Sequence, residues 1–353
     1  MTKPYFYSSL GKQEGTFIRI GSAIMKATAK MIQELEWHSM GKYPDELPIY
    51  PATADEIDIS AFEHFLQMRK ATFIESDLKA LLYHYNTLTK EHTKTYPTMG
   101  GLLLFGKEPQ KFLPESFIIC THFLGISGRV VVATRDCTGS LLQQYKDSIS
   151  FVLSRLNKQF TIEGTNARQE TLEIPEESVR EIVINALVHR NYLIPGPTKI
   201  AIYDDRIEIF SPGNFPGPIQ VDRLSMGTTY IRNTVITRVF REMKLMEKLG
   251  SGFLTVFTTY EERKLPPPTI YEGTGFVKCI LPRPMRGYTS NKETPSLLQL
   301  FYIKPEITTQ DVMSFLSTSR ATAQRLLKEF TEEGLIKKLG KGPSSRYVKV
   351  IVK

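Results

Sequence analysis

The chain reads as an α/β protein followed by a small helical unit that ends in a β-hairpin, and three observations carry that reading. Residues 176–193 have a helical stripe, with Val179, Ile182, Val183, Ala186 and Leu187 at i, i+3, i+4, i+7 and i+8. Residues 199–203 and 206–210 alternate apolar and polar side chains around Asp204-Asp205, a strong hairpin signal. Beyond a breaker-rich stretch at 282–294, three helical segments and two short strands follow between residues 296 and 353.

Taken in order, residues 5–7 and 16–20 read as strands split by a glycine-bounded turn at 11–15, and 23–37 as a helix. Residues 38–60 form an irregular link with Gly41, Pro44, Pro48 and Pro51. Helices are expected at 60–69 and 75–85, each with an apolar stripe. Residues 97–107 read as an apolar strand bounded by glycines, with a turn at 107–114. Strands at 116–123 and 130–133, a helix at 141–156 and a strand at 168–174 lead to the central helix. After the hairpin come a rigid turn at 211–218, a helix from 231 to about 243, and a glycine pair, Gly250 and Gly252, opening a helix at 253–263. Leu265-Pro266-Pro267-Pro268 stops that helix, and 275–281 is a last strand. The terminal unit is read as helices at 296–302, 308–316 and 318–333 and strands at 335–339 and 347–352.

The central helix also carries a polar row, Glu181, Asn185 and His189, at steps of four. A carboxylate, a carboxamide and an imidazole beside an apolar stripe need a ligand, a metal or one another. A core helix whose polar edge is satisfied by loops is the plainer alternative. Glycine allows close backbone approach, and a helix N-terminus offers free N–H groups, so Gly250 and Gly252 suit a phosphate.

The succession Glu-x-x-x-Asn-Ala-x-x-His-Arg-Asn-Tyr, hairpin, x-Pro-Gly turn and late Gly-x-Gly resembles the divergent GHKL-type ATPase domain of RecG-like, Schlafen-AlbA-type transcriptional regulators. The phrase from Gly101 to Gln110 is similar to one in those relatives. The resemblance covers most of residues 60–285 and implies a GHKL-like α/β sandwich, a mixed sheet with helices on one face, that binds ATP with Mg²⁺. By position, Asn185 would ligate Mg²⁺ through its amide oxygen, and Glu181 would orient the attacking water as general base. Gly213 would lie under the adenine, and Gly250 and Gly252 would cover the phosphates. His189 and Arg190 match a helix-end pair, read either as a structural link to the lid or as catalytic groups. Arg232 and Asn233 would reach phosphates, or Asn233 would cap its helix. Ser211 stands where well-defined members carry the aspartate that accepts the adenine amino group, and serine is shorter and also a donor.

Residues 17–22 resemble the closing strand of the AlbA-like domain that precedes this ATPase in relatives. The expected organisation is therefore 1–59 as the edge of such a domain and a link, 60–285 as the nucleotide-binding region, 286–295 as a linker and 296–353 as a last domain. Its three helices and hairpin resemble a winged helix-turn-helix. Ser319, Arg320, Thr322, Gln324, Arg325 and Lys328 would face the major groove, while Ala323, Leu326, Leu327 and Phe330 face in. Lys337, Lys338, Lys341 and Arg346 on the wing suit phosphates. The alternative is a winged helix used for protein contact.

Length and composition bound these readings. The 353 residues are 41% hydrophobic and 23% charged, ordinary globular values for two or three domains. The net charge of +8 suits a nucleic-acid or polyphosphate partner. Cys120, Cys137 and Cys279 form no metal pattern and cannot all pair, which fits a reducing cytoplasm. Cys120 and Cys279 lie in apolar runs and Cys137 in a polar turn. No apolar run reaches the roughly 18 residues of a membrane span, and the start lacks a signal-peptide core. No Gly-x-x-x-x-Gly-Lys-Ser/Thr loop is present, so a P-loop helicase motor is not expected. The sequence thus points to an ATP- and DNA-binding regulator. A weak Mg²⁺-dependent ATPase acting on DNA and a DNA-binding scaffold with a decayed pocket are the alternatives. A homodimer is expected only by analogy with other GHKL proteins.

Overall fold

The structure, a computed structural model, describes residues 5–20, 23–27, 29–39, 41–69, 78–126, 128–161, 169–215, 231–246, 252–284, 297, 300–301, 304–316, 318–332, 336–340 and 345–349. The chain opens with a short helix α1 (Gly11–Gly15), an antiparallel pair β1 (Phe17–Ile20) and β2 (Ala23–Lys26), and helix α2 (Ala29–Ser39). Three expectations fail here. The turn read at 11–15 is helix α1. Residues 5–7 are not a strand, and the helix read from residue 23 starts later because 23–26 pair with β1. The link contains two 3-10 turns, Pro44–Glu46 and Ala54–Glu56. Helix α3 (Ile59–Met68) follows, with the Asp58 carboxylate accepting from the Ala61 N–H at 3.1 Å, and then α4 (Leu78–His84). A hairpin of β3 (Leu88–Glu91) and β4 (Lys94–Pro97), not expected from the sequence, leads to helix α5 (Met99–Phe105).

Helix α5 corrects the apolar strand expected at 97–107. All seven of its residues are buried, and the Thr98 hydroxyl caps it by accepting from the Gly101 N–H at 2.9 Å. A run buried on every side has no alternation to separate helix from strand. Gly101 is required because a Cβ there would lie 2.1 Å from the Thr87 carbonyl oxygen. Gly101, Gly106 and Lys107 have part of the spacing of a phosphate loop, but Glu108 follows and the segment is a packed helix.

The main sheet is built from β5 (Ile118–Leu124), β6 (Val130–Cys137), β9 (Thr198–Ile202), β10 (Arg206–Pro212), β11 (Thr269–Gly273) and β12 (Phe276–Pro282), in the order β11-β12-β10-β9-β5-β6. It is mixed: β5 and β9 are parallel, and the other neighbours are antiparallel. Between β6 and β9 lie α6 (Leu141–Leu153), the pair β7 (Lys158–Thr161) and β8 (Gln169–Leu172), and α7 (Glu176–Val188). The strand expected at 168–174 is β8, but among the described residues it pairs only with β7, outside the main sheet. After β10 come α8 (Thr234–Glu242) and α9 (Gly252–Glu262).

Alternation along the strands places Ile118, Cys120, Ile200, Ile202, Ile207 and Ile209 on one face. They share a core with Ile149 and Val152 of α6, Val179, Ile182 and Val183 of α7, and Val256 and Tyr260 of α9. The sheet is closed at one end by a buried ion pair, with Arg283 Nη2 donating to Glu173 at 2.6 Å; both side chains are about 5% exposed or less. The terminal unit has a separate core and a three-stranded sheet, β13 (Glu306–Thr308), β15 (Arg346–Lys349) and β14 (Ile336–Leu339) in that order. Helices α10 (Thr309–Leu316) and α11 (Arg320–Glu332) lie between β13 and β14. The helix expected at 296–302 falls mostly outside the described residues. Among the described residues no helix is long and apolar enough to cross a membrane.

Candidate functional site

Glu181 and Asn185 stand one turn apart on α7, and Asn185 Nδ2 donates to Glu181 Oε1 at 3.1 Å. The carboxamide oxygen accepts no hydrogen bond among the described residues. Helix α9 begins against this pair. A Cβ on Gly252 would lie 1.8 Å from Glu181 Oε1 and 3.3 Å from Asn185 Nδ2, so any side chain there would have to displace the Glu181 carboxylate. Gly250 lies outside the described residues.

Helix α7 ends at Val188, five residues short of the expected 193, and His189 is its C-cap with φ −100°. The chain leaves because Asn191 N–H bonds the Pro212 carbonyl at 2.9 Å and the Tyr192 hydroxyl donates back to the Leu187 carbonyl at 2.8 Å. Two residues read as phosphate ligands are engaged with backbone at this exit. Arg232 donates to the carbonyls of His189 and Asn214, each at 2.8 Å. Asn233 Nδ2 donates to those of Val188 and Arg190, also at 2.8 Å. Arg190, buried, donates to the Glu115 and Gly196 carbonyls at 2.8 Å and thus ties the helix exit to two turns. Burial, with the charge of Arg232 beside it, pushes the His189 imidazole down to about 4. His189 is therefore neutral at pH 7.

Asn233 does not cap α8 with its side chain, contrary to one of the two expectations for it. The cap is Asp45, which the sequence reading passed over. Its carboxyl accepts from the Thr234 N–H at 3.1 Å and the Ile236 N–H at 3.0 Å. Burial pushes the Asp45 carboxyl up to about 7, against the lowering effect of these N–H donors. A cap 189 residues away has no local sequence signal.

Ser211 is buried, and its hydroxyl donates to the Ala186 carbonyl at 2.9 Å. Its donor is therefore used to hold β10 to α7. Gly213 has φ +107°, a region that favours glycine, and a Cβ would lie 2.6 Å from that of Asn191. The turn is locked by Gly213 N–H to the Gly275 carbonyl at 2.8 Å and Asn214 Nδ2 to the Gly273 carbonyl at 2.8 Å.

On the terminal unit, Arg320, Gln324, Arg325 and Lys328 are exposed along α11, and Lys337, Lys338 and Arg346 are exposed on its strands. Ala323, Leu326, Leu327 and Phe330 face inward, as expected. Ser319 has a local role: its hydroxyl accepts from the Thr322 N–H at 3.3 Å at the start of the helix. Arg325 meets Glu329 at 3.1 Å, Lys328 meets Glu332 at 3.6 Å, and Arg346 meets Glu306 at 3.0 Å. Lys341 lies outside the described residues.

Residues 196–281 match the sequence profile of a family described as "Putative ATP-dependent DNA helicase recG C-terminal". The match supports an ATPase-like domain of RecG type. It runs from the turn before β9 to the end of β12 and leaves α7 outside. Among solved structures, the fold is similar to the crystal structure of the DIP2311 protein from Corynebacterium diphtheriae, with a TM-score of 0.57 and 19% identity, over 95% of this chain and 70% of that one. No curated protein matches the chain.

Proposed function

We propose that the chain is a nucleotide-binding, DNA-binding regulator in which Mg·ATP binds between α7 and α9 and the terminal unit contacts DNA as a winged helix. The observation that carries the nucleotide reading is the meeting of Glu181, Asn185 and Gly252, in a region continuous with the RecG-type match. The residues present fit the group. Asn185 directs its N–H to Glu181 and leaves its carboxamide oxygen for a hard cation. Gly252 opens α9 without a side chain, so backbone N–H groups can approach a phosphate. Ser211 has used its proton on Ala186 and retains lone pairs for an amino group, while Gly213 keeps the turn free of a side chain.

Bound Mg²⁺ would neutralise and orient the phosphates. Asn185 would hold the cation. Glu181 would orient a water if the nucleotide is hydrolysed. Neutral His189, with Arg190, Arg232 and Asn233, would act by fixing the exit of α7. The terminal unit supports DNA contact through charge: ten lysines and arginines stand against five acids in residues 296–353. Its order of strand, two helices and two strands, and the exposed basic side chains of α11 and β14, support a winged helix.

One observation favours a second reading. Ser211 serves as an internal tie, as it would in a DNA-binding scaffold without nucleotide. Titration of Mg·ATP separates the two: saturable binding supports the regulator, and its absence supports the scaffold.

A further inference from the structure

We propose that Cys120 and Cys137 are a thiol–disulfide couple that closes strand β6 onto β5. The Sγ atoms are 3.8 Å apart, and both side chains are fully buried. In the register, Cys120 lies opposite Arg135 and Cys137 opposite Ile118, so the two sulfurs reach each other diagonally across neighbouring antiparallel strands. Diagonal partners stand at the limit of disulfide reach, so closing to ~2.05 Å takes side-chain rotation together with a shift of the edge strand. Cys279 on β12 is separated from β5 by β10 and β9 and is an internal control.

Among the described residues, strand β6 is the edge of the sheet, hydrogen-bonded there only to β5, and Val130, Val131 and Val132 are more than half exposed. An edge held on one side opens more readily than a central strand, which gives a small oxidant a route to buried sulfur. Cys137 also stands just before the Ser140-capped start of α6, and α6 packs on α7. The two thiols differ in character. The thiol–thiol hydrogen bond, in which either sulfur can donate, and the charge of Arg135 hold Cys137 below the ordinary thiol range. The same bond and burial push Cys120 up. Cys137, on the edge strand, is the sulfur an oxidant reaches first, and Cys120 on the inner strand is the resolving thiol.

With hydrogen peroxide as the two-electron oxidant, the Cys137 thiolate attacks one oxygen and the O–O bond breaks. The departing hydroxide takes up the proton lost from Cys137, which becomes a sulfenic acid. The Cys120 sulfur then attacks the sulfenic sulfur. The S–S bond forms, the S–O bond breaks, and hydroxide leaves as water with the Cys120 proton. Two thiols and one peroxide give one disulfide and two waters.

The test treats the native chain with hydrogen peroxide, alkylates remaining thiols after unfolding, and maps the peptides by mass. The expected product joins the Cys120 and Cys137 peptides, is lighter by about 2 Da, reverts with dithiothreitol and leaves Cys279 alkylated. The link persists in Cys279→Ser and disappears in Cys137→Ser. Both thiols still alkylated after a reference cysteine peptide has been oxidised would overturn the proposal. So would a link that involves Cys279 or a second chain, or one that forms only in denaturant. The mapping is made on the unaltered chain, so it does not depend on a variant that folds.

Discussion

At the scale of single residues, Gly252 carries the most specific demand. Its missing side chain is the space that Glu181 occupies, and Glu181 is the flexible partner of the two. Gly252→Ala is therefore expected to displace the carboxylate rather than unfold α9. Thermal unfolding should change little, while Mg·nucleotide affinity falls by about tenfold or more as the approach to the helix N-terminus narrows. His189 gives a pH signature. Its folded value of about 4 lies below the ordinary 6.5, so the unfolded chain binds more protons between the two. The stabilisation from a neutral imidazole is complete above pH 6.5 and is lost as pH falls toward 4. Denaturant titrations should show the native chain losing up to about 3 kcal/mol over that interval relative to His189→Asn. Parallel curves would show that His189 does not titrate in this way.

At the scale of elements, distant residues decide how helices start and how the sheet closes. Asp45 caps α8 from the link, so Asp45→Ala should cost about 1–2 kcal/mol and loosen α8 in hydrogen exchange. Glu173 and Arg283 are more consequential, because removing one leaves a buried charge without its partner. Glu173→Ala is expected to cost about 3–5 kcal/mol in chemical unfolding. These elements also mark what the sequence could and could not reveal. The hairpin β9–β10 and the helices α6 and α11 were legible because buried and open positions recur with the period of the element, and α7 was legible from its apolar stripe although Ile184 and Val188 are buried as well. Helix α5 was not, because its apolar residues are buried all round. The pair β3–β4 was missed because its turn side chains include His92, a non-glycine residue at φ +55°. At the site, spacing brought Glu181 and Asn185 onto one face, but the tertiary bonds of Arg190, Arg232 and Asn233 have no periodic signal.

At the scale of the whole molecule, a mixed α/β sheet is followed by a basic terminal unit. Of the net charge of +8, +5 falls on residues 296–353. Removing residues 290–353 should sharply weaken duplex DNA binding in an anisotropy titration and flatten its dependence on salt, because phosphate contacts are lost. Unchanged affinity and slope would move the DNA surface elsewhere on the chain. Calorimetric titration of ATP with Mg²⁺ into the intact chain and into its Asn185→Ala variant decides whether α7 carries a nucleotide site. Saturable binding to the intact chain is expected, and it disappears when the carboxamide is removed. Equal affinity in both, or no binding to the intact chain, would contradict a nucleotide site on α7.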